Sequence, residues 1–194
     1  MSLYSVGRKI TTVFFRVFFR IEVVGNDNIP DEGPVIVCSN HISNLDPPFI
    51  GTFIVNREVH FMAKEELFKN RFVRYILYKL HAFPVKRGLN DKQALRTALT
   101  ILKEGKVLGI FPEGTRSKSG KLKKGLPGTG FFALKSEAVV VPCAIIGSYK
   151  LFRPLKLIFG EPMDMTQYRK QRISPQEVTD LIMEEIAKLI DTYK

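Results

Sequence analysis

The stretch Ser39-Asn40-His41-Ile42-Ser43-Asn44-Leu45-Asp46-Pro47-Pro48 separates two segments of different character. The preceding run, Val35–Cys38, is short and apolar, which is typical of a buried strand. The apolar residues that follow the stretch predict a helix, with Asp46 as its N-cap and Pro47 in its first turn. His41 is therefore predicted to lie in a strand-to-helix loop that ends at Asp46.

The histidine and the aspartate of this loop are close enough in sequence to fold back into a hydrogen-bonded pair. In such a pair the carboxylate of Asp46 would fix the tautomer of the imidazole. The second ring nitrogen of His41 could then take a proton from a substrate hydroxyl. A loop histidine beside a helix cap fits the same spacing, so the spacing alone leaves both interpretations open.

On both sides of this loop, short apolar runs typical of strands alternate with segments whose apolar residues recur at helical spacing. The alternation predicts a single α/β domain with a mixed, largely parallel central sheet flanked by helices. Asn90 is expected to cap one helix and Gly105 to end it. Ser174 and Glu177 predict a capping box at the start of the last helix. Pro142 suggests that its strand lies at an edge or contains a bulge. We expect strands at 21–25, 35–38, 59–64, 82–85, 107–111, 139–146 and 155–160, and helices at 2–20, 65–80, 90–104, 131–136 and 174–193.

Polar residues follow three of the predicted strands at their carboxyl ends. His41 follows one strand, Arg87 follows another, and Glu113 and Arg116 follow a third. Ligands of α/β sheets bind beyond the carboxyl ends of the strands, so parallel neighbours would bring these side chains to one rim. The two arginines could hold a phosphate there by paired hydrogen bonds, although each alone also fits a solvated surface charge.

The composition is ordinary for a globular protein except in its charge. Because 30 Lys and Arg residues oppose 19 Asp and Glu residues, the formal net charge is +11, which favours polyanions, anionic lipid surfaces or phosphorylated ligands. Cys38 and Cys143 lie in apolar runs and are expected to be buried free thiols rather than a disulfide. The chain has no zinc-like Cys/His pattern, so we predict no metal site.

Residues 1–20 are predicted to form a basic amphipathic helix in front of a domain spanning 21–194. Arg8, Arg16 and Arg20 oppose its apolar stripe, which suits the surface of an anionic membrane, although the helix could instead pack its aromatic face on the core. No apolar run is long enough to span a bilayer and no signal peptide is recognised, so we expect a peripheral or monotopic protein on the cytoplasmic face of the cell membrane. The apolar stripe comprises Leu3, Val6, Ile10, Val13, Phe14, Val17, Phe18 and Ile21.

Two further function classes are compatible with parts of the sequence. A nucleic-acid binder would account for the positive charge, but no recognised nucleic-acid motif is present, and we expect no such partner. A hydrolase could use Cys38 with His41, but Cys38 falls within a strand and has no glycine-flanked nucleophile turn.

Two blocks of the sequence, Asn40–Asp46 and Phe111–Ser117, together resemble the glycerolipid acyltransferases, and in particular the bacterial 1-acyl-glycerol-3-phosphate acyltransferase family. That family is marked by a histidine, four residues and an aspartate, followed later in the chain by Glu-Gly-Thr-Arg. Two weaker blocks also match, Phe83–Gly88 with its arginine and Val139–Pro142 with its proline. The resemblance covers most of the chain, from about Val35 to Ile146.

The resemblance implies an acyl transfer to the sn-2 hydroxyl of 1-acyl-glycerol-3-phosphate (lysophosphatidic acid), giving phosphatidic acid in phospholipid biosynthesis. The implied donor is acyl-CoA or acyl carrier protein, acting as co-substrate, with no cofactor. By resemblance, His41 is the general base and Asp46 orients it. The implied acceptor-phosphate site consists of Arg87, Glu113, Gly114, Thr115 and Arg116. One departure from the family is the charged Lys86 before Arg87, which leaves the exact acceptor open.

Overall fold

The computed structural model describes residues 2–86, 91–117 and 119–194. Seven strands and seven α-helices form within these residues, with short 3-10 helices at Asn26–Asn28 and Glu65–Phe68. In chain order the elements are α1 (Leu3–Phe18), β1 (Arg20–Val24), β2 (Val35–Ser39), α2 (Asp46–Phe53), β3 (Val59–Lys64), α3 (Arg71–Lys79), β4 (Ala82–Val85), α4 (Lys92–Lys103), β5 (Val107–Ile110), α5 (Gly128–Lys135), β6 (Val139–Gly147), β7 (Pro154–Phe159), α6 (Thr166–Lys170) and α7 (Pro175–Tyr193).

The described strands form one sheet in the order β1-β7-β6-β2-β5-β3-β4. Strands β6, β2, β5, β3 and β4 run parallel, β7 is antiparallel to β6, and β1 is parallel to β7. The predicted mixed, largely parallel α/β fold is therefore confirmed. All five residues of β2 are buried, because helices cover both faces of the sheet at its centre.

Alternate residues of the central strands supply two separate cores. Val35 and Val37 of β2 face a core formed with α1 and α2, whereas Ile36 and Cys38 face a core formed with α4, α5 and α7. The carboxyl ends of β2, β3, β4, β5 and β6 lie at one edge of the sheet, which we call the rim. The loops that follow β2 and β5 therefore meet at the rim as neighbours.

Helix α1 packs on the domain with a different stripe from the one that its hydrophobic pattern predicts. Phe15 is buried against Phe49 of α2, and the hydroxyls of Thr11 and Thr52 are 2.6 Å apart. Arg8, expected on the solvated stripe, donates to the carbonyl of Val55 at 2.7 Å. Much of the predicted apolar stripe is consequently exposed, at Leu3, Ile10, Val13, Phe14, Val17 and Phe18.

Several element boundaries differ from the sequence prediction. The predicted helix 65–80 is a 3-10 turn followed by α3, because Asn70 accepts the backbone N–H groups of Phe72 and Val73 and starts a new helix there. No residue of α3 is buried, so this helix contributes no side chain to either core. Helix α5 begins at Gly128 rather than 131, and α6 was not predicted.

Capping interactions define the ends of α4 and the start of α7. Asp91 accepts the N–H groups of Gln93 and Ala94 and caps α4, whereas the predicted cap, Asn90, lies outside the described residues. Gly105 follows α4 with a φ of 71°, as expected of a helix stop. The capping box at the start of α7 is confirmed, since Ser174 and Glu177 bond reciprocally.

Pro142 lies in an interior strand, between β7 and β2, so the predicted edge position is wrong. Its carbonyl accepts the N–H of Gly160 at 2.8 Å, just beyond the last antiparallel pair, Cys143 with Phe159. The proline nitrogen, which cannot donate, thus lies just beyond the end of the β6–β7 ladder rather than within it. Among the described helices, none is long and apolar enough to cross a membrane.

Candidate active site

The loop between β2 and α2 places His41 at the rim. Asp46 is the first residue of α2, and Leu45 occupies the N-cap position without a side-chain bond, so the predicted capping role of Asp46 is wrong. The carboxylate turns back into the loop instead. Its Oδ2 accepts the N–H groups of Ile42 at 2.6 Å and Ser43 at 2.8 Å, which gives the loop its tight turn.

The predicted pair forms. His41 Nδ1 lies 2.7 Å from Asp46 Oδ2, and Asp46 is fully buried whereas His41 is partly exposed. Because the carboxylate can only accept, Nδ1 carries the proton and Nε2 is the ring nitrogen that can take a proton from a substrate. The pair therefore leaves Nε2 of an oriented ring available for proton transfer at the rim.

The imidazole ring of His41 is stacked against an aromatic side chain. The ring of Phe111 stacks on that of His41, with 4.0 Å between centroids and 18° between planes. Phe111 in turn lies parallel to Phe61, with 6.0 Å between centroids. The stack fixes the ring against tilting while the bond to Asp46 fixes its rotation in the plane.

The amide of Asn40 anchors the base of the loop to β6. Its Nδ2 donates to the carbonyl of Ile145 at 2.9 Å, and its Oδ1 accepts the N–H of Ile145 at 2.7 Å. This reciprocal pair is buried, so the side chain replaces a rung of the sheet where β2 has ended. No local pattern predicts this contact of Asn40, although the residue belongs to the block that carries the family resemblance.

Glu113 connects the loop after β5 to the histidine loop. Its Oε1 accepts the backbone N–H of His41 at 2.8 Å, and its Oε2 accepts the N–H of Lys123 at 3.0 Å. A second backbone bond, from Ser117 N–H to the carbonyl of His41 at 2.7 Å, closes the same junction. Gly114 permits the turn, because its φ is 66° and a Cβ there would lie 2.6 Å from Leu126.

The remaining residues of the Glu-Gly-Thr-Arg block are exposed at the rim. Thr115 and Arg116 lie in the turn after β5, and the Lys123 ammonium donates to the Arg116 carbonyl at 2.7 Å. The Arg116 side chain is exposed, so a cation is available beside the histidine loop. Arg87, the predicted second cation, lies outside the described residues, and the strand before it, β4, is at the sheet edge with β3 between it and β5.

One side chain of the site was missed entirely. Tyr149, in the turn after β6, donates its hydroxyl to Asp46 Oδ1 at 2.8 Å. No local pattern indicates this contact, because the two residues are 103 positions apart and meet only through the order of the strands.

The other two histidines lie at the opposite end of the strands and take no part in the site. His60 is at the start of β3, where burial and the neighbouring His81 lower its pKa to about 4. His81 pairs with Glu58, with 2.7 Å between Nε2 and Oε2. Both histidines therefore lie away from the rim.

Neither cysteine can serve as a nucleophile in this fold. Cys38 and Cys143 are free and completely buried in β2 and β6, and burial raises the pKa of both thiols far above the usual range. The hydrolase alternative therefore has no accessible thiol. Among the described residues, no group of three or more His, Cys, Asp or Glu is placed to hold a metal ion.

Comparison with known proteins gives the same family as the site residues. A 1-acyl-sn-glycerol-3-phosphate acyltransferase of Bacillus subtilis is 37% identical over 155 residues, which are 76% of each chain. One of Borreliella burgdorferi is 28% identical over 191 residues, covering 90% of this chain and 73% of the relative.

A solved structure supports the same assignment. The crystal structure of the 1-acyl-sn-glycerophosphate acyltransferase of Thermotoga maritima superposes with a TM-score of 0.79 at 27% identity, covering 99% of this chain and 80% of that one. The family model described as acyltransferase matches residues 20–146, which include the histidine loop and the Glu-Gly-Thr-Arg block. The chain therefore belongs to the acyltransferase family.

Proposed function

We propose that the protein transfers a fatty acyl group from an acyl thioester, of coenzyme A or acyl carrier protein, to the sn-2 hydroxyl of 1-acyl-glycerol-3-phosphate. The product would be phosphatidic acid. The observation that carries the proposal is the His41–Asp46 pair, held at the rim beside the exposed Arg116, in a chain whose relatives are named for this acceptor.

In the proposed reaction, His41 Nε2 removes the proton from the acceptor hydroxyl as its oxygen attacks the thioester carbonyl. The carbon–oxygen bond forms and a tetrahedral oxyanion results. This intermediate collapses as the carbon–sulfur bond breaks, and the departing thiolate takes the proton from the imidazolium. The proton count therefore balances with one histidine, and no covalent acyl-enzyme is required.

Asp46 acts through His41 rather than on the substrate. The carboxylate holds Nδ1–H, so that Nε2 faces the substrate in the correct tautomer, and its negative charge stabilises the imidazolium that forms during attack. Its burial keeps this charge close to the ring and away from solvent screening.

The acceptor phosphate is proposed to bind beside the histidine loop. Arg116 can meet two phosphate oxygens at once, and the hydroxyl of Thr115 can donate to a third. Arg87 is proposed to act on the same phosphate. Glu113 has a different part in this scheme: both of its oxygens already accept backbone N–H groups, and a carboxylate would repel phosphate. We propose that it holds the phosphate-binding turn against His41.

Positioning is the physical benefit of this arrangement. Clamping the phosphate brings the sn-2 hydroxyl within reach of a base that is already oriented, which replaces a random encounter with a preorganised one. Such positioning can be worth several kcal/mol of the barrier.

The membrane surface is proposed as the place where this enzyme meets its lipid acceptor. The exposed side of α1 carries Ile10, Val13 and Val17, with Arg16 and Arg20 exposed nearby. An exposed apolar helix face beside basic side chains is the composition that binds anionic bilayers without crossing them.

Two neighbouring segments extend this surface. At the carboxyl end of α1, Phe152 donates its N–H to the carbonyl of Phe18 at 2.7 Å, and Leu151 and Phe152 are largely exposed at the β6–β7 turn. At the amino end, Gly7 packs so closely on Leu80 that a Cβ would lie 2.9 Å away. Leu80 directly follows α3, whose exposed apolar residues are Phe72, Val73, Tyr75 and Tyr78.

The decisive experiment assays the purified protein on anionic vesicles with a panel of lyso-acceptors and with both acyl-CoA and acyl carrier protein donors. We expect transfer to 1-acyl-glycerol-3-phosphate, and its loss in His41→Ala. The matched control is His81→Asn, which alters another carboxylate-paired histidine and keeps a residue that tolerates the φ of 59° at that position. Near-normal turnover by His41→Ala, or acyl release to water without an acceptor, would contradict the proposal.

A further inference from the structure

Tyr149 contacts the site from outside every sequence block that carries the family resemblance. It lies beyond residues 20–146, which the family model matches, in the turn between β6 and β7. Its hydroxyl nevertheless donates to Asp46 Oδ1 at 2.8 Å. The two oxygens of Asp46 are therefore held from opposite directions, one by the histidine loop and the other by this turn.

The contacts of the carboxylate are unevenly divided. Oδ2 lies within hydrogen-bond distance of His41 Nδ1 and of the N–H groups of Ile42 and Ser43, whereas Tyr149 is the donor to Oδ1. The terminal torsion of an aspartate is soft, so bonds to one oxygen alone leave the plane of the carboxylate poorly defined. A donor on the second oxygen fixes that plane, and with it the direction in which Nδ1 of His41 is held.

Tyr149 is suited to this task by its protonation state and its packing. Burial and the neighbouring Asp46 raise the pKa of its phenol above the usual range, so the hydroxyl remains a donor. Its ring lies edge-on to Phe19, with 5.8 Å between centroids, and to Phe49, with 6.0 Å. Gly147 lets the strand turn here, because its φ is 111° and a Cβ would clash with the Pro154 carbonyl.

We infer that Tyr149 is a positioning residue for acyl transfer: its hydroxyl fixes the plane of the Asp46 carboxylate and so aligns His41 with the acceptor hydroxyl. The inference rests on the proposed function. Tyr149 does not touch the substrate in this account, so its loss should lower kcat and leave the KM values for donor and acceptor nearly unchanged.

The test is Tyr149→Phe, which removes one oxygen and keeps the ring contacts with Phe19 and Phe49. Because the bond lost is to a charged group, kcat should fall by about ten- to hundredfold, with both KM values within about twofold of wild type. Tyr168→Phe is the matched control: Tyr168 is also partly buried, but it packs in the core on the other face of the sheet, and kcat should not change. A Tyr149→Phe enzyme with wild-type kcat would overturn the inference.

NMR of the histidine ring nitrogens can distinguish a positioning role of Tyr149 from a general packing role. The chain has three histidines, so their signals can be resolved. In Tyr149→Phe the ring-nitrogen shifts of His41 should move while those of His60 and His81 stay. If that variant does not fold, 3-fluorotyrosine at position 149 keeps the ring and hydroxyl, changes the acidity of the donor, and should move the same shifts. Unmoved His41 shifts would overturn the inference.

Failure of this inference is distinguishable from failure of the proposed function. An active His41→Ala enzyme would remove the general base itself from the mechanism. An inactive His41→Ala enzyme together with a fully active Tyr149→Phe enzyme would leave the base in place and reject only the positioning role.

Discussion

One oxygen of Glu113 accepts the backbone N–H of His41 at 2.8 Å, so the carboxylate of one sequence block holds the histidine of the other. The second oxygen holds the N–H of Lys123, and the whole carboxylate is buried. Two loops that follow neighbouring parallel strands are thus joined by this side chain, together with the backbone bond from Ser117 to His41. This contact explains why a carboxylate stands beside cations in a site that we propose for phosphate.

Glu113→Gln should impair both stability and turnover. A glutamine supplies one acceptor oxygen in place of two, so one of the two backbone N–H groups loses its partner, at a cost of about 1–3 kcal/mol. We expect a lower melting temperature and a lower kcat, with little change in the acceptor KM. Glu137→Gln, at an exposed carboxylate paired with Arg169, is the control and should change neither quantity. A rise confined to the acceptor KM would instead place Glu113 on the phosphate.

Much of this architecture follows from local sequence. Strands β3 and β4 have the predicted limits, and the capping box of α7 is where Ser174 and Glu177 place it, because each depends on neighbouring residues. The His41–Asp46 pair is also local, although Asp46 had been expected to cap α2.

The contacts that complete the site are not local. Asn40 with Ile145 and Tyr149 with Asp46 each join residues more than 100 positions apart, and they exist only because β6 pairs beside β2. The packing stripe of α1 was missed for a related reason. Contacts with α2 bury Phe15 and engage Thr11, whereas hydrophobic periodicity alone favours the stripe that is left exposed.

Arg116→Ala should act on the acceptor and spare the donor. Loss of a charge-assisted bond to phosphate predicts a roughly ten- to hundredfold fall in acceptor kcat/KM, mainly through KM, with the thioester KM nearly unchanged. Arg116→Lys should restore only part of the activity, because a point charge cannot reproduce a bidentate fork. Lys124→Ala, at an exposed cation of the same connection between β5 and α5, is the control for general charge loss.

A comparison with Arg87 extends the test. If both arginines hold one phosphate, the double Arg87→Ala and Arg116→Ala variant should be non-additive. Should Arg116→Ala instead raise only the thioester KM, the clamp would belong to the donor, and our placement of the two substrates along the rim would be reversed.

Direct transfer predicts that no acyl-enzyme accumulates. Both thiols are completely buried, and burial raises their pKa values, which disfavours the nucleophilic thiolate. Cys38→Ala should therefore keep wild-type kcat, apart from any small loss of stability from the methyl-sized cavity. Intact-protein mass spectrometry with donor and no acceptor should show unmodified chain. A stoichiometric acyl adduct on Cys38 would contradict direct attack.

Basic residues near α1 should contribute to binding of anionic vesicles. Each basic side chain near such a surface is worth about 1 kcal/mol, so Arg16→Glu with Arg20→Glu should weaken vesicle binding by roughly thirtyfold or more at low salt. Arg8 is left unchanged because it holds the Val55 carbonyl. The control is Lys92→Glu with Lys103→Glu, which makes the same change in net charge on α4. That helix packs on the opposite face of the sheet from α1. Equal loss in both variants would indicate a response to net charge alone.

The β6–β7 turn tests the apolar part of the membrane surface. Leu151 is 60% exposed and Phe152 is 62% exposed, and both adjoin the end of α1 through the Phe152–Phe18 backbone bond. Leu151→Ser with Phe152→Asn removes both apolar side chains, and asparagine tolerates the φ of 60° at position 152.

Vesicle binding of this double variant should weaken roughly tenfold, because each side chain loses part of its apolar burial in the bilayer. The loss should persist at high salt, unlike the loss from arginine reversal, which screening should reduce. Turnover of short-chain, water-soluble substrates should remain within about twofold of wild type, which would show that the neighbouring Tyr149 is undisturbed. Unchanged vesicle binding would restrict the membrane surface to α1 and α3.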